Sequence, residues 1–130
     1  MTKKKVLLAE DDADDRDVFT WFLDDRIDIS CLENGIHVIE FLNAVPLKSG
    51  LPDIIILDHN MPVMNGQETL RTLKRNSRYA HIPVFIYSTY ADRKLTENYK
   101  SSGALLVYDK PTTQEGYHLM IDTFLEYLQP

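Results

Sequence analysis

Ile54-Ile55-Ile56-Leu57-Asp58-His59-Asn60-Met61-Pro62 is the stretch on which the fold turns. Four apolar residues run into one carboxylate, and polar residues and a proline follow. Entered from Leu51-Pro52-Asp53, a continuous apolar run of this length reads as a strand buried on both faces. Asp58 then falls at the C-terminal end of a central strand, the edge where open α/β sheets bind ligands. A carboxylate there is costly unless it is paired, bound to metal or used chemically.

Upstream, Val6-Leu7-Leu8-Ala9 predicts a buried strand that ends in Glu10-Asp11-Asp12-Ala13-Asp14-Asp15, five acids in six residues. The period then changes. Val18 and Phe22, and Phe19 and Leu23, stand four apart with Trp21 beside them, which predicts a helix whose N-terminal acids suit its dipole. Ile27 to Leu32 predicts a second strand, Asn34-Gly35 a turn, and Ile36, Val38, Ile39 and Leu42 a helix that stops before Pro46.

Downstream of the Asp58 strand, Asn65-Gly66 opens a mostly polar helix, marked by Leu70 and Leu73, to about Asn76. Pro83-Val84-Phe85-Ile86-Tyr87 is a further strand, ending at Ser88-Thr89. Leu95 and Tyr99 mark a short helix from about Asp92. Gly103 to Tyr108 predicts a fifth strand, closed by Asp109-Lys110-Pro111. Tyr117, Met120, Ile121, Phe124, Leu125 and Leu128 give the clearest amphipathic helix. Strand and helix alternate five times, which implies a parallel sheet with helices on both faces and right-handed crossovers. The polar strand ends Glu10-Asp11, Asp58, Ser88-Thr89 and Lys110 then share one edge.

Composition narrows the function. At 130 residues the chain is expected to form one domain, 1–130. Hydrophobic content of 44% and charged content of 26% place it among globular chains. A net charge of −6 argues against a nucleic-acid partner, since phosphate contacts need a basic face. The single Cys31 excludes an intramolecular disulfide, fits poorly with a thiolate metal site, and reads as a small apolar residue on a strand. There is no signal-peptide h-region and no run near the ~18–20 apolar residues of a membrane span, so a cytoplasmic location without membrane contact is expected.

The converging residue types point to phosphoryl chemistry. Two unit charges ~4 Å apart repel by about 1 kcal/mol in water and about 4 kcal/mol at an effective dielectric near 20. Nothing structural requires the carboxylates of Glu10, Asp11 and Asp58 at one point, and a hard divalent cation such as magnesium would relieve them. Lys110 supplies a point charge suited to a phosphoryl oxygen, and Ser88 a hydroxyl. Asp58 would be the nucleophile for transfer of a phosphoryl group onto its carboxylate.

These stretches closely resemble the receiver domains of two-component response regulators. The resemblance rests on Val6-Leu7-Leu8-Ala9-Glu10-Asp11-Asp12, Leu57-Asp58-His59-Asn60-Met61-Pro62 with Asn65-Gly66, Tyr87-Ser88-Thr89, and Asp109-Lys110-Pro111, and covers the whole chain. It implies a flavodoxin-like (βα)5 fold, doubly wound, with strand order 2-1-3-4-5. It implies that Asp58 accepts a phosphoryl group from a phosphohistidine on a sensor histidine kinase or phosphotransfer protein. Asp11, Asp58 and the main-chain carbonyl of Asn60 would bind Mg2+ directly, with Glu10 acting mostly through a metal-bound water. Ser88 would turn toward the phosphoryl group and Lys110 would pair with its oxygens. The Lys110-Pro111 peptide is expected to be cis. The chain departs from the family where an aromatic residue usually stands three positions before the lysine: here that position is Val107, with Tyr108 next to it on the opposite strand face.

The expected function is that of a stand-alone receiver, not a metabolic enzyme, which signals by protein contact through the face of its fourth helix, fifth strand and fifth helix. Two other readings stand beside it. Asp58-His59-Asn60 is faintly similar to the D-x-D of haloacid-dehalogenase-like phosphatases, but there the nucleophile ends the first strand of a larger domain. A scaffold that binds partners without phosphorylation would not need the full set of site residues. Asp12, Asp14 and Asp15 are expected to cap and solvate the first helix, His59 to be a partly exposed loop residue that modulates access, and His37, His81 and His118 to lie at the surface. All seven tyrosines fall between Tyr79 and Tyr127 and are expected at half-buried edges, with a partner surface as the alternative; Tyr90 could cover the phosphoryl pocket.

Overall fold

A computed structural model describes residues 3–21 and 25–128. Among the described residues five strands and five α-helices alternate: β1 Lys4–Ala9, α1 Ala13–Trp21, β2 Ile27–Leu32, α2 Gly35–Asn43, β3 Ile54–Asp58, α3 Gly66–Arg75, β4 Val84–Ser88, α4 Arg93–Ser101, β5 Leu106–Asp109 and α5 Gln114–Glu126. The strands form one parallel sheet in the order β2-β1-β3-β4-β5. β3 lies between β1 and β4, and all five of its residues are buried. This is why its sequence is a run and not an alternation.

The pleat divides each strand between two cores. Leu7, Ile55, Leu57 and Ile86 meet Val38, Leu70 and Tyr99 on the side of α2, α3 and α4. Leu8, Ile56, Phe85 and Tyr87 meet Phe19, Met120 and Phe124 on the side of α1 and α5. Each fully buried aliphatic side chain contributes roughly 1.5–3 kcal/mol. Phe22 and Leu23, predicted on the first helix, lie outside the described residues.

Polar residues set the helix starts. Asn34, Asp92 and Thr113 accept from the backbone N–H groups of His37, Leu95 and Gly116, and Asn65 forms a reciprocal capping box with Glu68. These caps fix where each chain segment leaves the sheet edge.

Two local expectations are corrected. The fifth strand starts at Leu106, not Gly103. Gly103 has φ +108, and the N–H of Ala104 bonds to the carbonyl of Tyr99, so residues 103–104 complete the turn out of α4 before Leu105 donates its N–H to the Val84 carbonyl. The Lys110-Pro111 peptide is trans, not cis. With the trans peptide, the Lys110 N–H donates to the Ser88 carbonyl at 2.8 Å and its side chain reaches across to β1 and β3.

Candidate functional site

The C-terminal edge of the sheet collects the predicted residues. The β pleat decides their direction. Asp58 pairs in register with Tyr87, and both follow the face of Ile56 and Phe85, toward α1 and α5. Glu10 follows Leu8 on the same face. Glu10 and Asp58 are 0% and 3% exposed, whereas Asp11 is exposed at the start of the loop into α1. One carboxylate oxygen from each of Glu10, Asp11 and Asp58 lies within 4.8 Å of the others. Three hard oxygen donors this close, two of them buried, suit a small divalent cation.

Lys110 closes the site from β5. Its Nζ is 2.8 Å from Glu10 Oε1, 3.1 Å from Asp15 Oδ2 and 3.3 Å from Asp58 Oδ2. It also lies 5.0 Å above the Tyr87 ring. Burial works against the lysine's charge, but the surrounding carboxylates outweigh it and hold the ammonium firmly protonated.

Burial, followed by the hydrogen bond and charge of Glu10, pushes the Asp58 carboxyl up to about 8, against a smaller downward pull from Lys110. Glu10 goes the other way. Burial alone would raise it, but its bonds with Asp58, Lys110, Tyr87 and the Asp12 N–H lower it. The two acids therefore hold one proton between them around neutral pH, on Asp58, until another positive charge arrives.

Ser88 ends β4 on the opposite face from Asp58. Its Oγ accepts from the Tyr90 N–H at 3.3 Å and donates to the Tyr90 carbonyl at 3.4 Å, so the hydroxyl is engaged by its own loop. Asn60 donates its N–H to Asp58 Oδ1 at 3.3 Å and, with Asp11, His59 and Asn65, lines an open cleft of about 400 Å3. Val63 sits in a tight turn just past the cleft residues Met61 and Pro62, at φ +67 with the Met64 N–H on the Pro62 carbonyl. A β-branched residue in the left-handed region is an outlier, and it sits in the loop between β3, which ends in Asp58, and α3.

Three contacts had no counterpart in the sequence reading. Tyr87 donates its hydroxyl to Glu10 Oε1 at 2.5 Å, and its ring meets Phe19 edge-on. Asp15 pairs with Lys110, so solvation of α1 is not its whole role. Asp12 does cap, accepting from the Asp15 N–H. His59 Nδ1 and the Tyr99 hydroxyl share a 2.5 Å hydrogen bond that joins the residue after Asp58 to α4, and burial biases the imidazole toward its neutral form. Only Tyr87 left a trace: a tyrosine two residues after Phe85 must follow it onto the same strand face.

The tyrosines are not at half-buried edges as a group. Tyr79, Tyr87 and Tyr99 are fully buried, and each hydroxyl has a partner. Tyr99 and Tyr117 face inward from α4 and α5, so they do not form a partner surface there. Tyr90 is 76% exposed and does not cover the pocket. Val107 packs on the α4 side and Tyr108 on the α5 side against Phe124, as strand alternation requires.

A sheet of this order, with an acid cluster and a lysine at its C-terminal edge, defines the class of doubly wound, flavodoxin-like α/β domains. The chain is similar to the phosphorylated cyanobacterial phytochrome response regulator RcpA, at TM-score 0.83 and 20% identity over 98% of this chain and 94% of that one. It is likewise similar to the chemotaxis response regulator CheY4 of Vibrio cholerae, at TM-score 0.80 and 24% identity over 94% and 98%. At these identities the likeness shows the fold. The chain belongs to the response regulator receiver domain family, which residues 6–122 match.

Among curated relatives, the autoinducer 2 sensor kinase/phosphatase LuxQ of Vibrio cholerae is 28% identical over 92% of this chain, which spans 13% of that protein. The two-component response regulator ORR5 of Oryza sativa subsp. japonica is 34% identical over 65% of this chain and 60% of its own length. The chain is thus a receiver domain homologous to those of two-component proteins, and no helix among the described residues is long and apolar enough to cross a membrane.

Proposed function

We propose that Asp58 is the phosphoacceptor of this receiver, with Glu10 and Asp11 as its acidic partners and Lys110 as the counter-charge for the phosphoryl oxygens. The observation that supports this best is the Asp58 carboxyl itself: buried at a strand end, crowded by Glu10 and 3.3 Å from Lys110 Nζ. In the transfer, a carboxylate oxygen of Asp58 forms a bond to phosphorus as the donor's P–N bond breaks. The bonding pair leaves with the donor imidazole, and the donor is a phosphohistidine of a histidine kinase or phosphotransfer protein.

The carboxylate oxygens of Glu10, Asp11 and Asp58, with the main-chain carbonyl of Asn60, would hold Mg2+. When bound, that ion supplies positive charge against the carboxylates and the phosphoryl oxygens. Ser88 would exchange its contacts with Tyr90 for a hydrogen bond to the phosphoryl group. The altered loops are then read by a protein partner on the face of α4, β5 and α5, without tyrosine anchors from the two helices.

The test uses intact mass. Incubated with Mg2+ and a small acyl phosphate, the wild-type chain should gain one phosphoryl group and Asp58→Asn none. An adduct of equal yield on Asp58→Asn overturns the assignment.

A further inference from the structure

A lysine ammonium has three N–H donors and no more. In this protein carboxylate oxygens of Glu10, Asp15 and Asp58 lie 2.8, 3.1 and 3.3 Å from its nitrogen, one for each donor. A phosphoryl oxygen therefore cannot simply be added to Lys110; it has to replace one of the three. The partners are not equivalent. Glu10 is buried at a strand end, and losing the lysine would leave its carboxylate without water, while Asp58 is the reacting group itself. Asp15 comes from the first turn of α1, and its side chain is 40% exposed, so on release its carboxylate is hydrated at once. The Tyr87 ring flanks the ammonium, and its hydroxyl holds Glu10 Oε1, which fixes the inner partner further.

We propose that Asp15 is a positioning residue: it holds the Lys110 ammonium in the unphosphorylated protein and is the partner that an oxygen of the incoming phosphoryl group displaces. The proposal rests on Asp58 as phosphoacceptor. It makes Asp15 a competitor of the phosphoryl donor for one N–H. An ion pair of this exposure is weak, so its removal should move the donor concentration needed, by a factor of about two to five, without changing the reacting atoms.

Asp15→Asn removes the charge at nearly constant size. Asp14→Asn is the control: it is one residue earlier on the same turn, exposed, and costs α1 the same favourable dipole interaction. The rate at which intact protein gains a phosphoryl group is followed against acetyl phosphate concentration at saturating Mg2+. Asp15→Asn should reach half its maximal rate at two- to five-fold less donor, with the maximal rate within twofold of wild type. Asp14→Asn should overlay wild type, and Asp15→Glu should fall between wild type and Asp15→Asn.

If Asp15→Asn and Asp14→Asn behave alike, the Lys110 contact is not what Asp15 contributes and the proposal fails. A lower maximal rate at unchanged half-saturation also overturns it, because Asp15 would then support the lysine instead of competing for it. A wild-type chain that takes up no phosphoryl group overturns the assignment of Asp58, and this proposal with it.

Discussion

Glu10 and Asp58 meet where little water reaches, and the proton on Asp58 relieves their repulsion. This gives the metal-free protein a stability that depends on pH. Asp58 is raised from the ordinary aspartate range to about 8. Between pH 4 and about 8 the unfolded chain has lost that proton and the folded chain keeps it, so stability falls as pH rises through this window and then levels. The lowered Glu10 acts oppositely, but below its ordinary range, so it does not cancel the trend above pH 5. Asp58→Asn cannot titrate. In chelator, its thermal midpoint should rise above that of wild type as pH goes from 5 to 8, the gap widening by roughly 5 °C or more. Calorimetry across that range checks it, and a constant gap would remove the shared-proton account.

At the level of elements, the loop from β3 into α3 is confined by its neighbours. Gly66 opens α3 where a Cβ would stand 2.7 Å from the Asp58 carbonyl oxygen and 2.8 Å from the Tyr99 hydroxyl. The first of these is backbone, and the second belongs to a fully buried ring bound to His59. Gly66→Ala should therefore cost about 1–3 kcal/mol, read as a lower midpoint in urea. A midpoint within error of wild type would mean that α3 can slide away from β3.

Elements of this kind were legible in the sequence where a period or a cap spoke for itself. The β3 run, the Asn65-Gly66 helix start and the α5 stripe all stand as predicted. The fifth strand was misjudged at its start because Ala104 and Leu105 are apolar in a helix exit as much as in a strand. The site's strand-end residues were legible because parallel topology puts every strand's C-terminus on one edge. The contacts of Asp15, Tyr87 and Tyr99 depend on helix phase and inter-strand register, which pair residues such as Asp58 and Tyr87 across a whole crossover and are not written in either segment alone.

For the molecule as a whole, the acid cluster opposes folding and a cation that fits it favours folding. Saturating Mg2+ should raise the thermal midpoint of wild type, and more at pH 8 than at pH 5, where Asp58 keeps its proton. Asp11→Asn should melt a few degrees higher than wild type in chelator and lose most of the Mg2+ gain. Thermal melts with and without the ion check both. An Asp11→Asn protein that melts lower in chelator would count against crowding at this edge.

The placement of Lys110 also orders events while the chain is being made. Glu10 and Asp11 follow β1 and Asp58 ends β3, both translated before β5, and Lys110 follows Asp58 by 52 residues. A nascent chain that has paired β1 with β3 holds its acids together before its own neutralising residue has been translated. Docking of β5 on the edge of β4 delivers that residue. Completing the sheet and discharging the cluster are thus one step, and it comes after β1 and β3 have been made.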